Sequence, residues 1–281
     1  MTSAVIIVLR EVLEAMLLIC MLMASSSAMG FRLRWLAPAL IAGLSGALAY
    51  ALLLEEISMA FEGFGQEIVN SLLLIATALL LAAHNFFAVR CLVSSETCAV
   101  NAKVVLAILI GAAAMGITRE GSEIYLYAYS YGLVAGDVTS VLSGGAIGAG
   151  IGLSLGTFIY YGLRTLPARA CLQVSCVIAL IIGAGMMSQA ALFLAQADIL
   201  PATEPLWDSS GLIRESSLLG ELLQAAIGYE ASPTLVQISL HLGAVLISLV
   251  AMLLGYFSIG DRRRAAVKKI AVGQVAVRKD A

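Results

Sequence analysis

The sequence has little charge and few residues that interrupt a helix. Only 12% of its 281 residues are Asp, Glu, Lys or Arg, and it contains five prolines and two histidines. So little charge cannot cover the surface of a soluble domain of this length. No four of the five cysteines have the spacing of a zinc site. We expect these cysteines to be reduced thiols that pack in an apolar interior.

Long apolar runs fill the sequence instead, because 61% of the residues are hydrophobic. The runs lack the period-two alternation of a membrane β-barrel, so they predict an all-α polytopic membrane protein. A short amphipathic helix on the outer surface is predicted over about 210–227. Seven runs are long enough to be transmembrane helices, and we number them as spans 1 to 7: 3–23, 36–54, 68–89, 104–131, 141–163, 171–195 and 235–257.

Charges in the connectors alternate between basic and acidic and so predict the orientation. The connectors after spans 1, 3 and 5, with the tail, hold 13 of the 16 Lys and Arg residues. The other three connectors hold 11 of the 18 Asp and Glu residues and a single base, Arg214. Basic connectors favour the cytoplasmic side. We therefore expect the amino terminus outside, a permease domain over 1–260 and a basic cytoplasmic tail over 261–281.

The acidic outer connectors suggest where a cation enters. Acidic residues are common in outer loops, but a concentrated set also attracts cations. The candidate outer entry is the group Glu55, Glu56, Glu62 and Glu67.

Two short charged motifs interrupt spans 1 and 4. Residues 10–14 read R-E-V-L-E and residues 119–123 read R-E-G-S-E. A charged residue at the centre of a span costs about 2.5–3.5 kcal/mol even by the lower estimates, so six of them indicate mutual pairing and a function. A purely structural pair of salt-bridge clusters is the simpler alternative, but the duplication disfavours it.

The spacing within each motif places its charges on one helix face. Residues three or four apart are neighbours on a helix, so Glu11 lies beside Glu14, and Arg10 is able to pair with Glu14. The motifs start roughly 10 Å and roughly 12 Å below the outer ends of their spans, which run in opposite directions. The sequence therefore predicts an inverted repeat, with spans 1–3 related to spans 4–6 and span 7 added.

Carboxylate oxygens without Cys or His ligands suit hard cations. We expect the motif arginines to hold the glutamates ionised and to release them to a metal ion.

The two motifs resemble the R-E-x-x-E signatures of the oxidase-dependent iron permease family, bacterial type. The segments A-F-E-G-F-G-Q-E at 60–67 and L-W-D-S-S-G-L-I-R-E at 206–215 are also similar to bacterial members. The first motif departs from the usual form, because Val12 replaces a common glycine.

The resemblance implies iron import across a bacterial inner membrane, with ferric iron favoured and ferrous iron accepted. It implies that the metal ligands are Glu11, Glu14, Glu120 and Glu123, supported by Arg10 and Arg119. Iron is then the transported substrate, and no organic cofactor is expected. The expected partners are membrane lipid and a periplasmic oxidase or iron-binding protein, without nucleic acid. The sequence does not choose between a monomer and a homo-oligomer.

Two further features have local interpretations. His84 lies near the inner end of span 3 and is either a candidate inner exit or a packed core histidine. Glycines recur at every fourth position from Gly144 to Gly156, which predicts a close-packing helix face.

Two alternative functions remain open at this point. One is a proton-coupled transporter of another divalent cation or solute, in which the glutamates relay protons. The other is a membrane-bound redox enzyme, although Cys171 and Cys176 are five apart and do not face each other on a helix. We expect no enzyme.

Overall fold

Helices form nearly all of the regular structure. The computed structural model describes residues 2–93, 101–134, 136, 138–215 and 217–277, and in these ranges there is no β-strand, only an isolated bridge between Pro205 and Thr234. The α-helices are α1 (Thr2–Ala28), α2 (Leu36–Leu52), α3 (Leu54–Met59), α4 (Gly65–Val93), α5 (Ala102–Tyr127), α6 (Val138–Thr165), α7 (Ala168–Gln196), α8 (Leu218–Ile227) and α9 (Leu235–Val277).

Six helices in the described part of the chain are long and apolar enough to cross a membrane. They coincide largely with α2, α4, α5, α6, α7 and the first part of α9, and they match predicted spans 2 to 7: Leu33–Leu52, Gly65–Val93, Ala102–Tyr131, Val138–Thr165, Ala168–Gln196 and Leu235–Ser258. The helix α1 is 27 residues long, but Arg10, Glu11 and Glu14 lie close together within it. The helix α1 is therefore long enough to cross a membrane, but because of its charges it is not one of the six apolar helices. The architecture is that of an all-helical polytopic membrane protein.

Two helix boundaries differ from the sequence-based expectation, and one connector contains regular structure that was not predicted. The outer helix starts at Leu218 rather than near 210, because Ser217 caps it by accepting a hydrogen bond from Gly220 N. The helix α9 continues to Val277 through the predicted basic tail. A short helix, α3, and a 3-10 turn over Phe61–Gly63 occupy the acidic connector.

The cysteine expectation holds only in part. Cys20, Cys171 and Cys176 are free and buried. Cys91, near the end of α4, is disulfide-bonded, so the expectation of reduced thiols is wrong for that residue. Cys98 and the rest of the segment 94–100 lie outside the described residues.

The helix α1 occupies the middle of the bundle, where it packs against α5, α6, α7 and α8. Its closest neighbour is α6, whose predicted glycine face is confirmed. A Cβ added at Gly148 would lie 2.5 Å from the carbonyl oxygen of Val5, and one at Gly156 would lie 2.6 Å from Met16 Cβ. Two backbones that approach this closely hold α1 in a fixed position.

Apolar side chains also cover much of the outside of the bundle. Ile41 on α2 is 68% exposed and Phe158 on α6 is 77% exposed, and α9 exposes a similar row. Apolar surfaces of this extent are favourable in contact with lipid and unfavourable in contact with water.

A cover segment joins the end of α7 to the start of α9, and its described residues are 197–215 and 217–234. It includes α8, which contacts α1 and α7. Its backbone is folded onto itself, because Leu206 N donates to Pro233 O at 3.0 Å and Ser209 N donates to Ala231 O at 2.8 Å. The cover segment therefore lies over the side of the bundle where α1 passes α7.

Candidate metal centre

The two charged motifs meet where α1 crosses α5. One carboxylate oxygen from each of Glu11, Glu14 and Glu120 lies within 4.8 Å of the other two. Glu11 and Glu120 are 1% and 2% exposed. The helical spacing brings the two glutamates of α1 to the same face, and the crossing adds the third from α5.

Arg119 connects the two helices through three carboxylates. Its Nη1 lies 2.9 Å from Glu14 Oε2 on α1 and 2.7 Å from Glu120 Oε1 on its own helix. Its Nη2 lies 2.9 Å from Glu123 Oε1, at an angle outside that of a hydrogen bond. The guanidinium thus neutralises charge on both motifs at once.

Arg10 has the corresponding position on α1. Its Nε donates to Glu11 Oε1 at 2.8 Å, and its Nη2 contacts the same oxygen and lies 3.8 Å from Glu123 Oε2. Within the described residues, Arg10 forms no ion pair with Glu14, because Glu14 pairs with Arg119 instead. Each arginine therefore binds the adjacent glutamate and reaches across to the far glutamate of the other motif.

The pairing leaves oxygen atoms without donors. Glu11 Oε2 and Glu120 Oε2 are both buried and have no hydrogen-bond partner among the residues that the structure describes. A buried carboxylate oxygen without a donor is costly in a region of low dielectric constant. A cation placed among these carboxylates would satisfy both atoms.

A small cavity reaches the cluster from the side of α7 and the cover segment. It has a volume of about 20 Å³ and is lined by Glu14, Gln189, Gln224, Gly185 and Gly228, among others. That volume holds about one water molecule. Gln189 Oε1 is buried without a partner in the described structure. Sequence reasoning had not selected Gln189 as a site residue, and an isolated amide in an apolar helix was the available signal.

The four candidate entry glutamates have different environments. Glu55, Glu56 and Glu62 are exposed, whereas Glu67 is half-buried. Glu67 Oε2 has no described donor, and neither does the hydroxyl of Tyr50, which is buried on α2. Tyr50 interacts electrostatically with both Glu67 and Glu123. Tyr50 therefore lies near both Glu67 and the second motif, and sequence reasoning had not selected it.

His84 belongs to a separate buried polar group. The His84 imidazole is 1% exposed, and its Nε2 shares a 2.8 Å hydrogen bond with Ser25 Oγ. The next residue, Asn85, donates to Ser248 Oγ at 2.9 Å and to the carbonyl of Cys176 at 3.2 Å. This group ties α1, α4, α7 and α9 together at a place away from the motif carboxylates.

The family model described as the iron permease FTR1 family matches residues 1–266. No curated protein and no solved structure matches the chain.

Proposed function

Since this chain belongs to the iron permease FTR1 family, we propose that it imports iron across a bacterial inner membrane through the carboxylates of its two charged motifs. Membership identifies a multi-pass membrane transporter of iron rather than an enzyme. The residues that carry the iron, its oxidation state and the direction of movement are the parts that we propose.

The observation that carries this proposal is the three-carboxylate cluster at the crossing of α1 and α5. Glu11, Glu14 and Glu120 supply oxygens within 4.8 Å of one another, and two buried oxygens have no described donor. The four motif carboxylates outnumber the two guanidinium groups, so the ionised site has two net negative charges. A multivalent cation compensates this excess.

Arg119 and Arg10 act as counter-ions when iron is absent. Arg119 Nη1 bonds Glu14 and Glu120 through a single nitrogen, so turning one side chain frees both carboxylates. An arriving cation competes for those oxygens and repels the guanidinium. Oxygen-only ligands favour ferric iron and also accept ferrous iron, manganese or magnesium.

The helix α1 is the seventh transmembrane helix in this proposal. Its length exceeds the roughly 20 residues needed to cross a bilayer, and its charges are buried or partly buried and are paired within the bundle. Intramembrane charges that are satisfied in this way are tolerated and mark transport sites.

Helix packing supports an inverted repeat. If α1, α2 and α4 correspond to α5, α6 and α7, the α1–α6 contact corresponds to the α2–α5 contact, and both are extensive. The α4–α7 contact corresponds to itself and is also extensive. The arginine contacts follow the same exchange, because Arg10–Glu123 corresponds to Arg119–Glu14. The metal centre then lies on the repeat axis, where transporters of this design bind their substrates.

The proposed orientation places the amino terminus outside and the basic tail in the cytoplasm. Cys91 lies at an end of α4 that this orientation assigns to the cytoplasm, where disulfides are rare. Membrane-impermeant thiol labelling of intact cells tests the orientation with single cysteines in a cysteine-free chain. Glu55→Cys should label and Arg164→Cys should not, and the opposite pattern would reverse the orientation.

The proposed path starts at the acidic outer connector and continues past Glu67 and Tyr50 to the motif carboxylates. From there the ion leaves past the buried polar group at His84. An oxidation step, where one is needed, is supplied by a separate periplasmic oxidase or iron-binding protein. A homo-oligomer is compatible with the exposed apolar faces of α2, α6 and α9.

Radio-iron uptake into cells that lack other iron systems tests the metal centre. Glu11→Gln and Glu120→Gln each remove a charge with little change of shape and should lower uptake at least about tenfold. Glu204→Gln removes an exposed carboxylate from the cover segment and is the matched control. Wild-type uptake in both motif variants, at equal protein levels, would reject the proposal.

The same cells separate the two alternatives. A proton-coupled carrier of another substrate predicts that motif variants keep iron uptake. A thiol-based redox enzyme predicts that replacing all five cysteines with alanine abolishes activity. The iron permease proposal predicts the reverse in both experiments.

A further inference from the structure

A second and larger cavity lies beside the cover segment, away from the motif helices. Its volume is about 260 Å³. Three parts of the chain line this cavity, among them Ser188 on α7, Trp207, Gly228 and Glu230 on the cover segment, and His241 on α9. An imidazole and a carboxylate therefore share one cavity wall in an otherwise largely apolar surrounding.

Within the described part of the chain, two polar side chains that line this cavity, Glu230 and Ser188, have no hydrogen-bond partner. Glu230 forms no hydrogen bond or ion pair with any residue that the structure describes, although it is partly buried. Ser188 is only 7% exposed, and its hydroxyl has no described partner. A serine on a helix usually bonds a carbonyl one turn earlier, as Ser154 and Ser239 do. The unbonded Ser188 hydroxyl is therefore available to a ligand in this cavity.

The negative charge around Glu230 also favours a bound cation. Burial and the nearby Glu215 carboxylate raise the pKa of Glu230 above its ordinary value. Glu215 is fixed in place, because its Oε1 accepts a 2.6 Å hydrogen bond from Ala231 N. Two carboxylates held near each other without a described cation are stabilised when a cation binds.

The large cavity adjoins the small cavity that reaches Glu14. Gly228 lines both of them. Ser188 in the large cavity is followed on α7 by Gln189 in the small one. Gly228 packs directly on α7, since a Cβ added to it would lie 2.4 Å from Gly185 Cα. The two cavities thus meet at Gly228, next to its contact with Gly185.

We propose that Glu230 and His241 form a second cation site, which binds a divalent transition-metal ion. From this site the ion passes Gly228 and Gln189 to Glu14, on a second entry route beside the one past Glu67 and Tyr50. The direction of passage rests on the proposed function of the motif carboxylates. One imidazole, one carboxylate and the Ser188 hydroxyl leave several coordination positions to water. Imidazole suits first-row divalent ions such as ferrous iron, whereas the motif carboxylates offer oxygen alone.

Binding of Mn²⁺ to the purified full chain tests this site without requiring transport. The protein is prepared in detergent without a histidine tag, so His84 and His241 are its only imidazoles. Mn²⁺ stoichiometry is measured by equilibrium dialysis, and electron spin echo spectroscopy detects nitrogen coupled to bound Mn²⁺. The wild type should bind two ions, and one of them should show imidazole nitrogen.

Variants assign the nitrogen signal to the cavity. His241→Gln should remove the signal, and Glu230→Gln should weaken binding of that ion at least about tenfold. Glu204→Gln should leave the signal and the binding unchanged. Retention of the motif ion in His241→Gln shows that the variant is folded.

Two outcomes would overturn the second site. One is unchanged nitrogen coupling and stoichiometry in both His241→Gln and Glu230→Gln. The other is loss of the nitrogen-coupled ion in Glu11→Gln/Glu120→Gln, since that would make the cavity ion dependent on the motif site. Failure of the proposed transport function is read separately, from iron uptake by the motif variants.

Discussion

Replacing Arg119 by glutamine should destabilise the fold strongly and make its stability depend on metal. Arg119 contacts carboxylates on two helices, and its side chain is 6% exposed. Removing one partner of a buried ion pair typically costs about 3–5 kcal/mol. At roughly 2–4 °C per kcal/mol for a chain of this size, the melting temperature should fall by roughly 6–20 °C.

Thermal unfolding of the detergent-solubilised protein, with and without Mn²⁺, measures this effect. Saturating Mn²⁺ should raise the melting temperature of Arg119→Gln more than that of the wild type, because the ion replaces the missing positive charge. Arg214→Gln removes an exposed arginine from the cover segment and serves as the control. Its free energy of unfolding should lie within about 0.5 kcal/mol of that of the wild type.

A double variant tests the physical cause. Arg119→Gln/Glu120→Gln removes one positive and one negative charge, so it should recover part of the loss, with a coupling of about 0.5–3 kcal/mol. If Arg119→Gln melts like the wild type, or if Mn²⁺ raises both melting temperatures equally, the idea that the arginine and a cation compete for these carboxylates is wrong.

Three further predictions concern packing, charge and entry. Gly148→Ala should destabilise the protein by about 1–3 kcal/mol by pushing α6 from α1, whereas Gly150→Ala, which meets nothing within 4 Å, should be neutral or stabilising in the same unfolding assay. The folded state raises the pKa of Glu230, so folding disfavours its ionised form. The Glu230→Gln variant should therefore unfold at a higher temperature than the wild type at pH 7. This difference in melting temperature should shrink as the pH falls and Glu230 becomes protonated. Glu67→Gln should reduce radio-iron uptake at low iron concentration more than Glu62→Gln does, since only Glu67 has a buried oxygen without a described donor; equal uptake would remove Glu67 from the path.

Local periodicity was sufficient to predict most of the helices and one of the main contacts. Apolar runs located α2, α4, α5, α6 and α7 to within a few residues, and the start but not the end of α9, because a helix that crosses a bilayer needs about 20 apolar residues. The four-residue repeat from Gly144 to Gly156 identified the packing face of α6, because a small residue on every turn permits close approach of a second helix.

Side-chain partners were less predictable, because they depend on how helices cross. Sequence spacing suggested that Arg10 pairs with Glu14 along α1, but the crossing with α5 places Arg119 nearer to Glu14. The pairing along the helix occurs only in the second motif, between Arg119 and Glu123. Spacing identifies the face on which a charge lies, whereas the neighbouring helix determines which charge it contacts.

The cavity beside the cover segment could not be predicted from the sequence. Its Glu230 and His241 are 11 positions apart, and Ser188 comes from another helix. No motif relates them, and they share a wall only because the cover segment folds back over α7 and α9. The late start of α8 has the same origin, since Ser209 and Glu215 bond to Ala231 before the helix begins.

The reciprocal arginine contacts also constrain how the protein is made. Glu14 and Arg119 are separated by 105 positions, which a ribosome translates in roughly 5–20 s. During that interval the first helix has emerged while half of its counter-charges have not yet been synthesised. The final placement of α1 in the bundle must therefore wait for α5. Assembly of the bundle therefore ends at its centre, and α1, the first helix to be synthesised, is among the last to reach its final position.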